Sequence, residues 1–97
     1  MIMVHETFVC KPGNASKLAK KFKEAMAGSD EVVSIMTDMT GQYNRVMIVS
    51  KYESLTAFEK SWERYKADDE ATKKMMEAMA GYTDMYLTGS REIYQVW

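Results

Sequence analysis

One histidine, His5, and one cysteine, Cys10, are all that 97 residues offer for imidazole and thiol chemistry. A zinc or non-haem iron centre draws on several such ligands, so one of each assembles neither, and no metal is expected. A serine or cysteine nucleophile would need His5 as its base. On a strand, however, His5 and Cys10 point to opposite faces, which separates that pair. No GxGxxG or GKS/T stretch occurs, so the common phosphate-binding loops are absent. The sharpest remaining residue is Glu6. With Val4 and Phe8 beside it on one strand face, its carboxylate would be desolvated, the setting that raises a carboxylate pKa and suits a general base. The alternative is an ion pair with Arg45 or Arg91, or a place near a rim. His5, next to it, serves either as a proton shuttle or as a hydrogen-bonded structural histidine.

These residues sit on a first strand, Ile2 to Cys10, which Lys11-Pro12-Gly13 stops because proline lacks the donor a ladder needs. Both of its faces are partly apolar, as in a strand covered on two sides. Gly13 or Asn14 then caps a helix running to about Ala27. Its stripe is Ala15, Leu18, Ala19, Phe22, Ala25 and Met26, its lysines face water, and Gly28 closes it. A second strand from Glu31 to Met39 folds through Thr40-Gly41-Gln42 onto a central strand rich in β-branched and aromatic residues. Ser54 starts the next helix, with the stripe Leu55, Phe58, Trp62 and Tyr65. The pattern breaks near Lys66 to Asp68 and restarts with Ala71, Met75, Ala78 and Met79 before Gly81. A last strand, Asp84 to Trp97, carries an interruption at Gly89-Ser90.

The order strand, helix, strand, strand, helix, strand predicts a ferredoxin-like α+β domain over residues 1–97. It is a four-stranded antiparallel sheet with both helices on one face. The other sheet face would carry Val, Ile, Phe or Met from every strand, more than a monomer leaves wet, so a homodimer packed sheet to sheet is expected. Tyr94 and Trp97 on the long last strand are natural anchors for it.

Composition narrows the partners. Thirteen basic against 14 acidic residues give a net charge of -1, which points to neither nucleic acid nor a strongly acidic partner. Lys11, Lys17, Lys20, Lys21 and Lys23 cluster on the solvent side of one helix. No apolar run approaches the roughly 18 residues of a membrane span. A single cysteine fits a reducing cytoplasm. Ten methionines suit ordinary core filling or an adaptable apolar cavity.

Phe8-Val9-Cys10-Lys11-Pro12-Gly13 with Leu18 and Phe22, and the run from Gly41-x-x-Asn44 to Tyr52-Glu53-Ser54-Leu55, resemble NIPSNAP-like proteins. That family lies in the dimeric α+β-barrel superfamily with antibiotic-biosynthesis-type monooxygenases, haem-degrading monooxygenases and Dabb proteins. The shared motifs are short and mostly structural, so they speak for fold before activity. The family pattern has a Glu and an Arg on the first strand where this chain has Val4 and Glu6. It has a His and a Trp near the end of the central strand where this chain has Ile48 and Ser50.

The resemblance implies a cavity for an aromatic or polycyclic molecule and no cofactor. It favours even-numbered residues of the first and central strands facing the dimer side, which brings Glu6, Asn44, Ser50 and Tyr52 to the cavity. The odd parity would bring His5, Thr7 and Arg45. In a monooxygenase-like reaction Glu6 or His5 takes a proton to leave a carbanion, while Tyr52, Asn44 and Trp62 position the ring. Trp62 and Tyr65 are otherwise core residues. A haem-degrading variant would have only His5 as axial ligand. A non-catalytic ligand binder and a ligand-free dimeric module are the competing classes.

Overall fold

The fold comes from a computed structural model that describes the backbone of residues 1–97 and every side chain except that of Tyr65. Strand β1 (Ile2–Cys10) is followed by helix α1 (Ala15–Ala25) and strands β2 (Val32–Thr37) and β3 (Arg45–Tyr52). Helices α2 (Leu55–Ser61) and α3 (Glu70–Ala78) then lead to strand β4 (Tyr86–Gln95). Short 3-10 turns at Trp62–Lys66 and Tyr82–Asp84 follow α2 and α3. The strands pair antiparallel in the order β2-β3-β1-β4, the ferredoxin-like α+β arrangement.

Local chemistry sets the element ends. The Ala57 amide donates to Ser54 Oγ at 3.1 Å, starting α2, and the Thr72 amide donates to Asp69 Oδ1 at 2.8 Å, starting α3. Between these caps the chain is extended at Ala67, so the expected broken helix is present. Thr72, not Ala71, is the buried residue of α3's first turn, because its hydroxyl donates to the Arg64 carbonyl at 3.1 Å and binds the helix to the turn before it. Leu55 is exposed, so the α2 stripe begins at Phe58. Tyr65, expected on that stripe, has its side chain outside the described residues.

The β2–β3 connection is longer than Thr40-Gly41-Gln42. The Arg45 amide donates to Asp38 Oδ1 at 2.7 Å and the Asp38 amide to the Arg45 carbonyl at 3.3 Å, which closes the hairpin well outside that tripeptide. Inside the loop Gly41 and Asn44 take positive φ of 93° and 65°. The interruption expected at Gly89-Ser90 lies elsewhere. Pairing runs evenly through both residues, and the register shifts one pair further on, where Val9 faces Thr88 and Cys10 faces Tyr86, leaving Leu87 extra. Gly89 instead admits close packing: a Cβ there would meet the Thr7 carbonyl oxygen at 3.0 Å and the Phe8 ring at 3.5 Å.

The core lies between the sheet and α1. Leu18 and Phe22 pack on Cys10, Val46 and Ile48, with Phe8, Ile35 and Tyr86 at the margin. These contacts decide the faces of the sheet. Even-numbered residues of β1 and β3 lie under the helices, and the odd-numbered ones, Met3, His5, Thr7, Val9, Met47 and Val49, form the open face. The expectation that the even face looks toward a partner is therefore overturned. The physical reason is the α1 stripe, which covers the face carrying Val4, Phe8, Cys10, Val46 and Ile48.

Candidate functional site

Glu6 sits between Val4 and Phe8 on the helix side of β1 and faces Arg91 directly across the β1–β4 pair. Arg91 Nε donates to Glu6 Oε1 at 2.8 Å, and the side chains remain 43% (Arg91) and 24% (Glu6) exposed. The ion-pair alternative for this carboxylate is thus realised, with Arg91 and not Arg45 as the partner. The guanidinium also lies over two rings of α2 and its following turn, with Cζ 4.8 Å from the Trp62 centroid and 5.5 Å from that of Phe58. Phe58 meets Trp62 edge-on at 6.0 Å and Tyr52 at 5.1 Å. Beside this cluster is an open depression of about 300 Å³ lined by Glu6, Phe8, Tyr86, Gly89, Ser90 and Arg91.

The structure gathers Glu6, Tyr52 and Trp62 around Arg91 and Phe58, and separates the other anticipated residues. Ser50 shares the helix-side face but is nearly buried, opposite Val4 and Val32. Asn44 precedes β3 in the left-handed conformation, where its carbonyl accepts from the Cys10 amide at 2.7 Å. It lines a different depression, of about 380 Å³, with Gly13, Ser16, Asp38 and Tyr43. Arg45 Nε donates to the Gln42 carbonyl at 3.1 Å, so this side chain ties down its own turn. His5 and Thr7 lie on the open face, with the His5 ring 5.0 Å from that of Tyr94. The Tyr94 hydroxyl donates to Glu92 at 2.9 Å, which raises the tyrosine pKa.

Arg91 and Phe58 were not among the residues expected to line a cavity. Glu6 and Arg91 are 85 residues apart, and only the strand register joins them. Cys10 is buried, and burial pushes its thiol pKa up, so it stays protonated and unreactive. Among the described residues no three His, Cys, Asp or Glu side chains gather as metal ligands. None of the helices is long and apolar enough to cross a membrane.

The turn carrying Trp62 is tied down by Arg64, which pairs with Glu31 at the entry to β2. Burial alone would raise the Glu31 carboxyl pKa, but hydrogen bonds from Ser29 and Arg64 outweigh it and hold it below the ordinary 4.5. A carboxyl lowered on folding stabilises the native state above its unfolded pKa, and that contribution fades as pH falls through the folded value. Acidifying from about pH 6 to about pH 3 should therefore lower the protection of the Trp62–Lys66 amides, read as the exchange rate relative to the intrinsic rate at each pH. Arg64→Ala should show the lower protection already at about pH 6, and identical protection in the two proteins at that pH would dismiss the tie.

The chain is similar in fold to several solved structures. An uncharacterised NIPSNAP domain protein from Burkholderia xenovorans superposes with a TM-score of 0.78 at 13% identity, covering 100% of this chain and 95% of that one. A NIPSNAP family protein from Agrobacterium tumefaciens gives 0.78 at 11% identity, covering 97% and 90%. A candidate antibiotic biosynthesis monooxygenase from Nitrosomonas europaea gives 0.66 at 10% identity, covering 99% and 98%. No curated protein matches the chain. The NIPSNAP family model matches residues 4–86, and the chain belongs to the NIPSNAP family.

Proposed function

We propose that the chain acts as a cytoplasmic homodimer that binds a small aromatic molecule in the depression between the sheet and α2. There Glu6 is the general base of a cofactor-independent, monooxygenase-like reaction. The observation that carries this reading is the Glu6–Arg91 pair on the wall of that depression, with the guanidinium against the rings of Phe58 and Trp62. Half-exposed rings give a planar ligand apolar area and edge contacts, and a carboxylate on the same wall is within reach of an acidic proton on it. Trp62 and Tyr52, through Phe58, set the ring's plane. The similarity to the candidate monooxygenase from Nitrosomonas europaea supports the reaction class, with dioxygen as the co-reactant.

The homodimer is supported by the open face, where Met3, Val9 and Met47 of the two inner strands join Met36 of β2 and Tyr94 of β4. A second copy laid on this face buries it and leaves both helix-side depressions accessible. A non-catalytic binder is the second reading, favoured by one fact: the Glu6 carboxylate is already matched by a guanidinium.

A thermal-shift screen of small aromatic ketones, phenols and acids tests the site. Hits should stabilise the wild type and fail to stabilise Trp62→Ala. For any hit consumed together with dioxygen, Glu6→Gln should keep the shift and lose turnover. Equal turnover in Glu6→Gln would remove Glu6 from the mechanism and leave the binder.

A further inference from the structure

The geometry points to Arg91 as a catalytic residue that holds the oxygen of an enolate while Glu6 takes a carbon-bound proton. The substrate is then a neutral aromatic ketone that can enolise. This rests on the reading that the depression beside α2 binds an aromatic molecule.

A single hydrogen bond, Nε to Oε1, joins the pair. It leaves Glu6 Oε2 as an acceptor and the terminal Nη groups of Arg91 as donors, none of them bonded to another group among the described residues. The two side chains that carry them both line one depression. Proton abstraction next to a carbonyl needs that arrangement: a base for the C–H and donors for the oxygen that gains charge.

Charge selects the neutral ligand. Glu6 and Arg91 cancel, and no other charged residue lines the depression. An anionic ligand would meet the Glu6 carboxylate, and a cationic one the guanidinium. With a neutral ketone the C–H bond breaks, its electron pair becomes the enolate π-bond and oxyanion, and the proton forms an O–H on Glu6. The negative charge moves from Glu6 to the enolate while Arg91 faces an anion throughout. This step consumes no oxidant.

Stacking makes Arg91 effective. Contact with Trp62 and Phe58 fixes the guanidinium plane before the ligand arrives, so little reorganisation accompanies the charge transfer. Arginine also stays charged beside a carboxylic acid or a carboxylate alike.

The test follows anaerobic hydrogen–deuterium exchange of the benzylic methylene next to the carbonyl of β-tetralone by proton NMR, with the full-length chain in heavy water. Binding is read separately from quenching of Trp62 fluorescence in a Trp97→Phe background. The wild type should speed exchange, and Arg91→Met should lose about a hundredfold or more of that rate while binding changes by less than about threefold. Far-UV circular dichroism checks that the variant is folded. Arg91→Lys keeps the charge that partners Glu6 but not the planar fork, and should lose about tenfold. Wild-type exchange in either folded variant would overturn the role of Arg91 and leave the binding site standing. A ketone that binds the wild type without exchanging would also overturn it and leave a binder. No binding at all would overturn the site on which the inference rests.

Discussion

Met47→Lys should convert the proposed homodimer into a folded monomer. Met47 lies on the open face of an inner strand, paired with Thr7 on one side and Met36 on the other, and it takes no part in the core packed on α1. In the proposed dimer it would stand near the middle of an apolar interface. An ammonium left there without a partner costs several kcal/mol, which amounts to a hundredfold or greater rise in the dimer dissociation constant. The fold should survive because the substitution leaves the helix side untouched. Sedimentation should therefore report the monomer mass alongside an unchanged far-UV spectrum. A variant that stays dimeric at micromolar concentration would place the interface elsewhere.

Leu18→Ala should be the most destabilising single truncation of the core. Leu18 is 0% exposed at the centre of the α1 stripe, packed with Phe22, Cys10, Val46 and Ile48. Cutting a buried leucine to alanine costs about 2–5 kcal/mol, from lost burial and the cavity left behind. Domains of this size hold only about 5–15 kcal/mol in total, so Tm should fall by roughly 10–25 °C. Thermal denaturation at matched protein concentration checks it, since dimerisation itself raises Tm. A loss below about 1 kcal/mol would mean that α1 does not pin the sheet as described.

Element order, the Ser54 start, the break after Lys66 and the antiparallel sheet were legible in the sequence because each rests on local signals: caps, helical spacing, turn residues. Which face of the sheet met the helices was not legible. Val4 and Phe8 on one face of β1 are balanced by Met3 and Val9 on the other, and Val46 and Ile48 on β3 by Met47 and Val49. With no apolar contrast between faces, parity alone could not assign them. The same limit misplaced Asn44. Counted as a strand residue it faces a cavity; as a left-handed turn residue it belongs to the hairpin. Glu6 was legible as an unusual carboxylate, and Arg91 was named among its candidate partners. Choosing between Arg45 and Arg91 took the register of β1 on β4. The aromatic support from Phe58 and Trp62 was visible only as a helix stripe, and its contact with Arg91 appears once α2 is laid over the sheet.

Native mass spectrometry of the untagged chain, taken directly from its expression host, reads both the dimer and its occupancy in one spectrum. The expected species is a dimer carrying a reproducible small extra mass, one per protomer, that disappears in Trp62→Ala. A monomer, or an extra mass that Trp62→Ala leaves in place, would contradict it.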